Sequence, residues 1–330
     1  MTQLRQDPFT RDWVIIATER ARRPQQLHFS DGGRRAHDAG PCPFCPGNES
    51  MPPPALYEPR ENGAWKVRVF PNQYPALRVE ETADRRVDGG RFISMGGLGV
   101  HEVLVESPSH VESIDAFSEV QVCEIVNALL ARFHDLKRDA RLKTIILFKN
   151  SGSVAGQTIE HPHWQLIGTP VVPMEIRRKY DVAARHFDEM GRNLYRSVLD
   201  DEVRARERIV LETPHFVALQ PWASRVPFET WIFPTAPQTS FGQVHGLAVV
   251  DFARTLKRVL AAIVRALGHA NYNFVVHTAP FEDEHKEYFL WHLAILPRHS
   301  IPAGFEMGTG IYINVTKPEE TALYLRDLLR

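Results

Sequence analysis

The amino-acid sequence predicts an α+β fold of two similar halves, in which helices pack on a mostly antiparallel sheet. Three observations carry this prediction. Shifting the chain by about 127 positions brings it into rough register with itself. Each copy then reads strand, strand, long helix, strand, turn, strand. Adjacent strands joined by turns, with one long helix per copy, favour antiparallel neighbours, and two such sheets can join into one. With 330 residues, 43% of them hydrophobic and 24% charged, the chain is long enough to bury a large core.

The elements follow from local pattern. His101-Glu102-Val103-Leu104-Val105-Glu106 reads as a strand, and Val120 to Phe133 has helical spacing that makes Cys123 ordinary core. Thr144-Ile145-Ile146-Leu147-Phe148 is apolar and β-branched enough to be a buried strand. On the next strand, alternation puts His161, His163 and Gln165 on one face, so three polar side chains share a wall. Pro-rich stretches at Cys42 to Pro54 and Thr169 to Pro173 punctuate the chain, and the second marks the border between halves 1–173 and 174–330. Glu175 to Arg208 is charge-rich with apolar residues at Tyr180, Val182, Ala183, Phe187 and Met190, and is expected to form one exposed amphipathic helix linking the copies. In the second copy, Pro227 to Pro234, Thr255 to Arg258, Ala270 to His277 and His292 to Pro297 echo the first. His163 falls on Leu290 in that alignment, so the chemistry is single-copy.

Composition narrows the function. Lys plus Arg number 39 against 40 Asp plus Glu, which argues against a nucleic-acid partner; a small nucleotide needs only local positive charge. No run approaches the roughly 18 apolar residues of a membrane span, and Met1 to Phe9 has no apolar leader, so a cytoplasmic protein is expected. Three cysteines, two of them in a CxxC, fit a reducing compartment better than a disulfide framework.

The chemistry concentrates in two motifs. Asn150-Ser151-Gly152-Ser153-Val154-Ala155-Gly156-Gln157-Thr158, followed by His161-Pro162-His163-Trp164-Gln165, reads as a nucleotide phosphate site with a histidine nucleophile. Gly152 and Gly156 allow the loop to turn backbone N–H groups toward an anion. Cys42-Pro43-Phe44-Cys45 has the two-residue spacing of a zinc knuckle, which His110 and His161 complete as a Cys2His2 structural zinc site. A pair of buried metal-free thiols is the competing reading, disfavoured by the Pro/Gly-rich surroundings.

With these residues in view, the chain resembles the galactose-1-phosphate uridylyltransferase family, a branch of the histidine-triad superfamily, over nearly its whole length. The run Phe148 to Gln165 is similar to the family signature, and Glu106-Ser107-Pro108-Ser109-His110 to its third zinc ligand. Asp12-Trp13-Val14-Ile15 and Arg20-Ala21-Arg22-Arg23-Pro24 resemble the amino-terminal strand and phosphate-binding arginines; an ordinary basic turn is the plainer reading of Arg20 and Arg23. Val69 to Ala76 resembles the nucleoside-binding segment, which implies a role for Asn72 and Gln73, although a Pro-flanked turn explains both equally well. Gly304 to Gly310, with Phe305 and Thr309, resembles the sugar-side loop. The resemblance implies tandem histidine-triad-like halves and a homodimer in which this loop reaches the partner's site.

Imidazole suits attack on a phosphate, because one nitrogen stays unprotonated while a backbone carbonyl fixes the N–H of the other. His163 is expected to attack the α-phosphorus, with Gln165 and Asn150 donating to phosphate oxygens and Thr158 in the same loop. Arg20 and Arg23 would supply guanidinium forks to the β-phosphate or the incoming sugar phosphate. Where the best-studied branch has ligands of a second metal, this chain has Lys179 and Ala294, with His277 and His292 retained. Trp164 replaces a small residue in a stretch expected to touch phosphate and sugar. Gly308-Thr309-Gly310 with Tyr312-Ile313-Asn314 is more similar to plant ADP-glucose phosphorylases. The first reading is exchange of UMP between UDP-hexose and a hexose 1-phosphate. The second is transfer of AMP from ADP-glucose to inorganic phosphate, and a zinc-stabilised, non-catalytic nucleotide-binding protein is the third.

Overall fold

A computed structural model describes residues 2–22, 41–268, 271–298 and 302–330. Its centre is one nine-stranded antiparallel sheet. From one edge inward run the strands Ile209–Glu212, Phe216–Leu219, Thr230–Pro234, His292–Pro297 and Tyr272–His277. Thr144–Ser151, His163–Thr169, Val100–Val105 and Arg68–Pro71 then continue to the other edge. The two copies therefore meet through their equivalent strands, Thr144–Ser151 and Tyr272–His277, in a register that sets Asn150 opposite Asn273 and Phe148 opposite Val275.

The period of two along each strand sorts residues between two faces. One face carries Leu104, Leu147, Trp164, Phe274 and Leu293 and is covered by the helices Glu119–Leu136 and Leu247–Leu267, forming the largest apolar cluster. Ser118 caps the first of these by accepting a hydrogen bond from the Gln121 N–H at 3.1 Å. Trp164 is fully buried there, with its ring centre 5.3 Å from that of Phe274. It thus faces away from His163 and Gln165, and the expectation that it alters a phosphate or sugar contact is corrected.

The other face is covered differently in each copy. Over the second, Tyr180, Ala183, Tyr195 and Leu199 pack with Phe9, Trp231 and Phe289. These come from two helices, Met174–Met190 and Leu194–Ala205, where one exposed helix was expected. Gly191 adopts a left-handed conformation that ends the first, and the Asn193 side chain caps the second, so the backbone turns in three residues while the apolar spacing continues. Over the first copy, Cys42, Phe44, Trp65 and Phe70 pack against Val103 and Val105. The chain ends meet in a small sheet, where Trp13–Ile16 pairs with both Gln3–Gln6 and Tyr312–Asn314. No helix among the described residues is long and apolar enough to cross a membrane.

Behind the histidine strand, Lys149 pairs with Glu106, and both side chains are essentially inaccessible to solvent. Breaking a buried pair by removing one partner strands the other charge, which costs about 3–5 kcal/mol. Lys149→Ala is therefore expected to lower unfolding stability in urea by about that amount, while Lys149→Met combined with Glu106→Gln recovers most of it. A loss under about 1 kcal/mol for Lys149→Ala would mean that the pair does not hold this strand.

Candidate active site and metal cluster

Four metal-ligating side chains converge. Ligand atoms of Cys42, Cys45, His110 and His161 all lie within 4.8 Å of one another. The Cys45 sulfur is 3.2 Å from His110 Nδ1 and 3.6 Å from His161 Nδ1, and the Cys42 sulfur is 3.8 Å from the same His161 nitrogen. His161 Nε2 lies 2.8 Å from the Ser107 carbonyl. A carbonyl only accepts, so Nε2 carries the hydrogen and the Nδ1 lone pair faces the sulfurs, the arrangement of a metal-bound histidine held from behind. Burial, reinforced by the neighbouring Cys42, pushes the Cys45 thiol up to about 11. Thiolates there need a cation, and two sulfurs with two imidazoles form a set suited to a tetrahedral divalent ion.

His161 and Pro162 sit just before the histidine strand, which the Glu106 N–H prolongs by donating to the Pro162 carbonyl at 3.1 Å. The first strand residue, His163, is 6% exposed. Its Nδ1 lies 2.8 Å from the His161 carbonyl, so Nδ1 carries the hydrogen and Nε2 keeps its lone pair. Burial pushes this imidazole down to about 4; the His161 carbonyl pulls the other way, and the Lys149 charge adds to the lowering. The edge of the ring is packed by Phe44, with centroids 5.4 Å apart. Phe44, one of the two residues between the cysteines, thus ties the cysteine loop to the His163 imidazole.

Gln165 shares the face of His163, with its Oε1 2.8 Å from His101 Nε2. Asn150 lies on the next strand, and its Oδ1 accepts from Asn273 Nδ2 at 2.8 Å. The glycine loop departs from expectation. The Gly152 N–H donates to Gln157 Oε1 at 2.6 Å, and the N–H groups of Ala155, Gly156 and Gln157 donate within the loop. Gly152 and Gly156 have φ of +83° and +85°, and a Cβ at Gly152 would meet Asn271 Oδ1 at 1.7 Å. These glycines therefore shape the loop, while their own N–H groups are occupied within it. Thr158 is exposed in the same loop.

Asn72 is half-buried and approaches His101 Nε2 at 3.2 Å, whereas Gln73 is exposed. Arg20 is exposed in the short 3-10 turn Thr18–Arg22; Arg23 lies outside the described residues. Phe305 and Thr309 belong to a short helix, Gly304–Thr309, that leads into Tyr312–Asn314 beside the amino-terminal strand. Among the described residues no hydrogen bond joins Arg20 or this segment to His163 or Gln165. In the second copy, Lys179 Nζ donates to His277 Nδ1 at 3.3 Å at the edge of a cavity of about 230 Å³ that also touches Arg225, Glu229 and Arg298. Burial pushes Lys179 down to about 8.

Fold and site together define a two-copy protein in which a buried histidine is tied to a Cys/His cluster suited to a metal ion, and comparison with known proteins identifies its family. The profile of the galactose-1-phosphate uridyl transferase amino-terminal domain matches residues 1–173, and that of a domain of unknown function (DUF4921) matches 118–328. The chain belongs to the galactose-1-phosphate uridyl transferase family. It is 33% identical to an ADP-glucose phosphorylase of Arabidopsis thaliana, over 99% of this chain and 93% of that protein. To a galactose-1-phosphate uridylyltransferase of Thermotoga maritima it is 28% identical, over 99% and 98%. The crystal structure of an ADP-glucose phosphorylase from Arabidopsis thaliana with bound ADP-glucose superposes with a TM-score of 0.86, at 31% identity over 99% of each chain.

The sequence reading missed His101, Asn273 and Phe44. The signal for Phe44 was its place inside the CxxC. Nothing local marks His101 or Asn273, which matter only through cross-strand pairing. For the metal cluster, analysis of purified protein is expected to find about one tightly held ion per chain. Cys42→Ser should lower both metal content and folded yield, and a stable variant with full metal content would contradict the assignment.

Proposed function

We propose that the chain is a nucleotidyltransferase that works through a covalent nucleotidyl-His163, and that the ion held by Cys42, Cys45, His110 and His161 is structural zinc. The observation that carries this reading is the His163 Nδ1 contact with the His161 carbonyl, which leaves Nε2 as the only unprotonated ring nitrogen. Nε2 forms a bond to the α-phosphorus of a nucleoside diphosphate hexose, the bond to the bridging oxygen breaks, and hexose 1-phosphate leaves. An acceptor phosphate oxygen then attacks the same phosphorus and the N–P bond breaks, freeing the imidazole. Gln165 and Asn150 donate to the nonbridging oxygens as charge develops. Zinc held by Cys42, Cys45, His110 and His161 would have a structural role, stiffening the loop that seats His163.

The first acceptor reading is exchange of UMP between UDP-glucose and galactose 1-phosphate or another hexose 1-phosphate, supported by the family to which the chain belongs. A second, AMP transfer from ADP-glucose to inorganic phosphate, is favoured by the 33% identity to the plant phosphorylase along nearly the whole chain. Incubation with labelled UDP-glucose or ADP-glucose, without acceptor, separates them: the true donor leaves acid-labile label on the protein. Reduced cysteines and a zinc knuckle favour a cytoplasmic setting.

His163→Ala is expected to abolish exchange while nucleotide binding survives, and His163→Gly to recover partial transfer from an added nucleotidyl-imidazolide. Ordinary turnover by His163→Ala, or sequential kinetics without labelled enzyme, would contradict the mechanism.

We also place Phe305 and Thr309 in the neighbouring subunit's site of a homodimer, with Arg20 and Arg23 serving the β-phosphate or the incoming sugar phosphate and Asn72, Gln73 and Thr158 contacting nucleotide. Arg20 follows Trp13–Ile16 and the Gly304–Thr309 helix precedes Tyr312–Asn314, so the parallel pairing sets them at opposite ends of one small sheet. Mixed dimers of His163→Ala with a chain damaged at Phe305 and Thr309 should regain partial activity. No recovery in verified mixed dimers would return the segment to its own site.

A further inference from the structure

We infer that two hydrogen-bond relays, His101 to Gln165 and Arg298 through Asn273 to Asn150, decide which end of each amide faces the phosphate, so that both present N–H donors. This rests on the reading of Gln165 and Asn150 as phosphate-facing groups. The two ends of a side-chain amide have nearly the same shape, so the chemistry of the partner decides which end points where.

Partners of fixed polarity anchor both relays. His101 Nδ1 accepts from the Ala76 backbone N–H at 3.1 Å, so that nitrogen is unprotonated and Nε2 carries the hydrogen. Nε2 therefore donates to Gln165, whose oxygen must be the facing atom, at 2.8 Å, and the Gln165 –NH₂ is left to point away. Asn72 Nδ2 lies 3.2 Å from the same His101 nitrogen, while its Oδ1 accepts the Tyr74 N–H at 2.9 Å. That contact joins two donors and does not compete for Gln165.

In the second relay, the Arg298 guanidinium only donates, so the Asn273 atom it meets is Oδ1. Asn273 Nδ2 then faces two acceptors, the Ala155 carbonyl at 2.9 Å and Asn150 Oδ1 at 2.8 Å. The Asn150 –NH₂ is thereby left outward, on the side of Gly156. Asn150 and Asn273 are cross-strand partners at the seam between the copies, and Arg298 directly follows the strand His292–Pro297 of the second. The second copy would thus act on the reaction by orienting a donor of the first. His101, Asn273 and Arg298 are positioning residues.

Reversing the polarity at Asn273 tests this. Asn273→Asp keeps the size and the Arg298 contact but offers only acceptor atoms, so Asn150 turns its –NH₂ inward and presents oxygen to the phosphate. First-turnover nucleotidylation should slow by roughly 10- to 100-fold, no more than for outright loss of an oxyanion donor. In an Asn150→Ala background the same change should add less than about 2-fold, since coupled residues are non-additive where independent ones are not. His101→Ala should behave likewise toward Gln165→Ala, and supplies a second, partly exposed position if Asn273→Asp folds poorly. UDP and ADP binding by calorimetry, run on the same variants, reads the same coupling without catalysis. Coupled losses of binding in a protein that takes no label would defeat the transfer reading and keep the relays. Normal labelling with additive losses at both pairs would overturn the relays and keep the transfer reading.

Discussion

The hydrogen bond from His163 Nδ1 to the carbonyl of His161, two residues back in the same chain, is the constraint on which the site depends. It links the ring of one histidine to the backbone of another that belongs to the metal cluster. For the bond to form, His161 must be fixed in place, and it is held on both ring nitrogens: the Ser107 carbonyl takes the Nε2 hydrogen, and the sulfurs of Cys42 and Cys45 lie around Nδ1. Pro162 restricts the backbone between them to one φ. Phe44 then closes on the His163 ring from the same loop as the cysteines. Cys/His cluster, strand start and imidazole tautomer are consequently one mechanical unit, through which an ion held by the cluster would orient His163 by way of protein atoms.

The sheet seam is the second organising feature. Equivalent strands of the two copies pair antiparallel, so the seam brings Asn150 and Asn273 face to face, and the second copy touches the face that carries His163 and Gln165 in the first. Elsewhere that copy diverges: His292 begins the equivalent strand and repeats the ring-to-carbonyl contact, with Nδ1 3.2 Å from the Leu290 carbonyl, but it is fully buried and two helices cover its face, so the sequence alignment of His163 with Leu290 is corrected. Retaining the sheet under two covering helices leaves a rigid wall against which the histidine strand is packed.

Much of this was legible in the sequence, for a physical reason. Strands, repeat and metal ligands follow from period, spacing and ligand chemistry, which are local; CxxC and His-Pro-His fix their own geometry to within a turn. What escaped depends on tertiary register or on competition between donors. The linker reads as one helix because its apolar period continues through Gly191 and Asn193, and only their capping conformations break it. The N–H groups of Gly152 and Gly156 look available until the Gln157 side chain and the loop's own carbonyls are found to take them. Trp164 alternates to the helical face, as the period of two requires, so its bulk serves the core.

The central claim is that the His161 carbonyl leaves Nε2 of His163 as the attacking atom. The most direct test is to trap the labelled protein after incubation with its nucleotide sugar, map the adduct by peptide mass spectrometry, and determine the linkage isomer of the nucleotidyl-histidine by NMR of the isolated peptide. The account predicts one nucleotidyl group per chain, on His163, bonded through Nε2. An adduct on Nδ1, on another residue, or none during active turnover would contradict it.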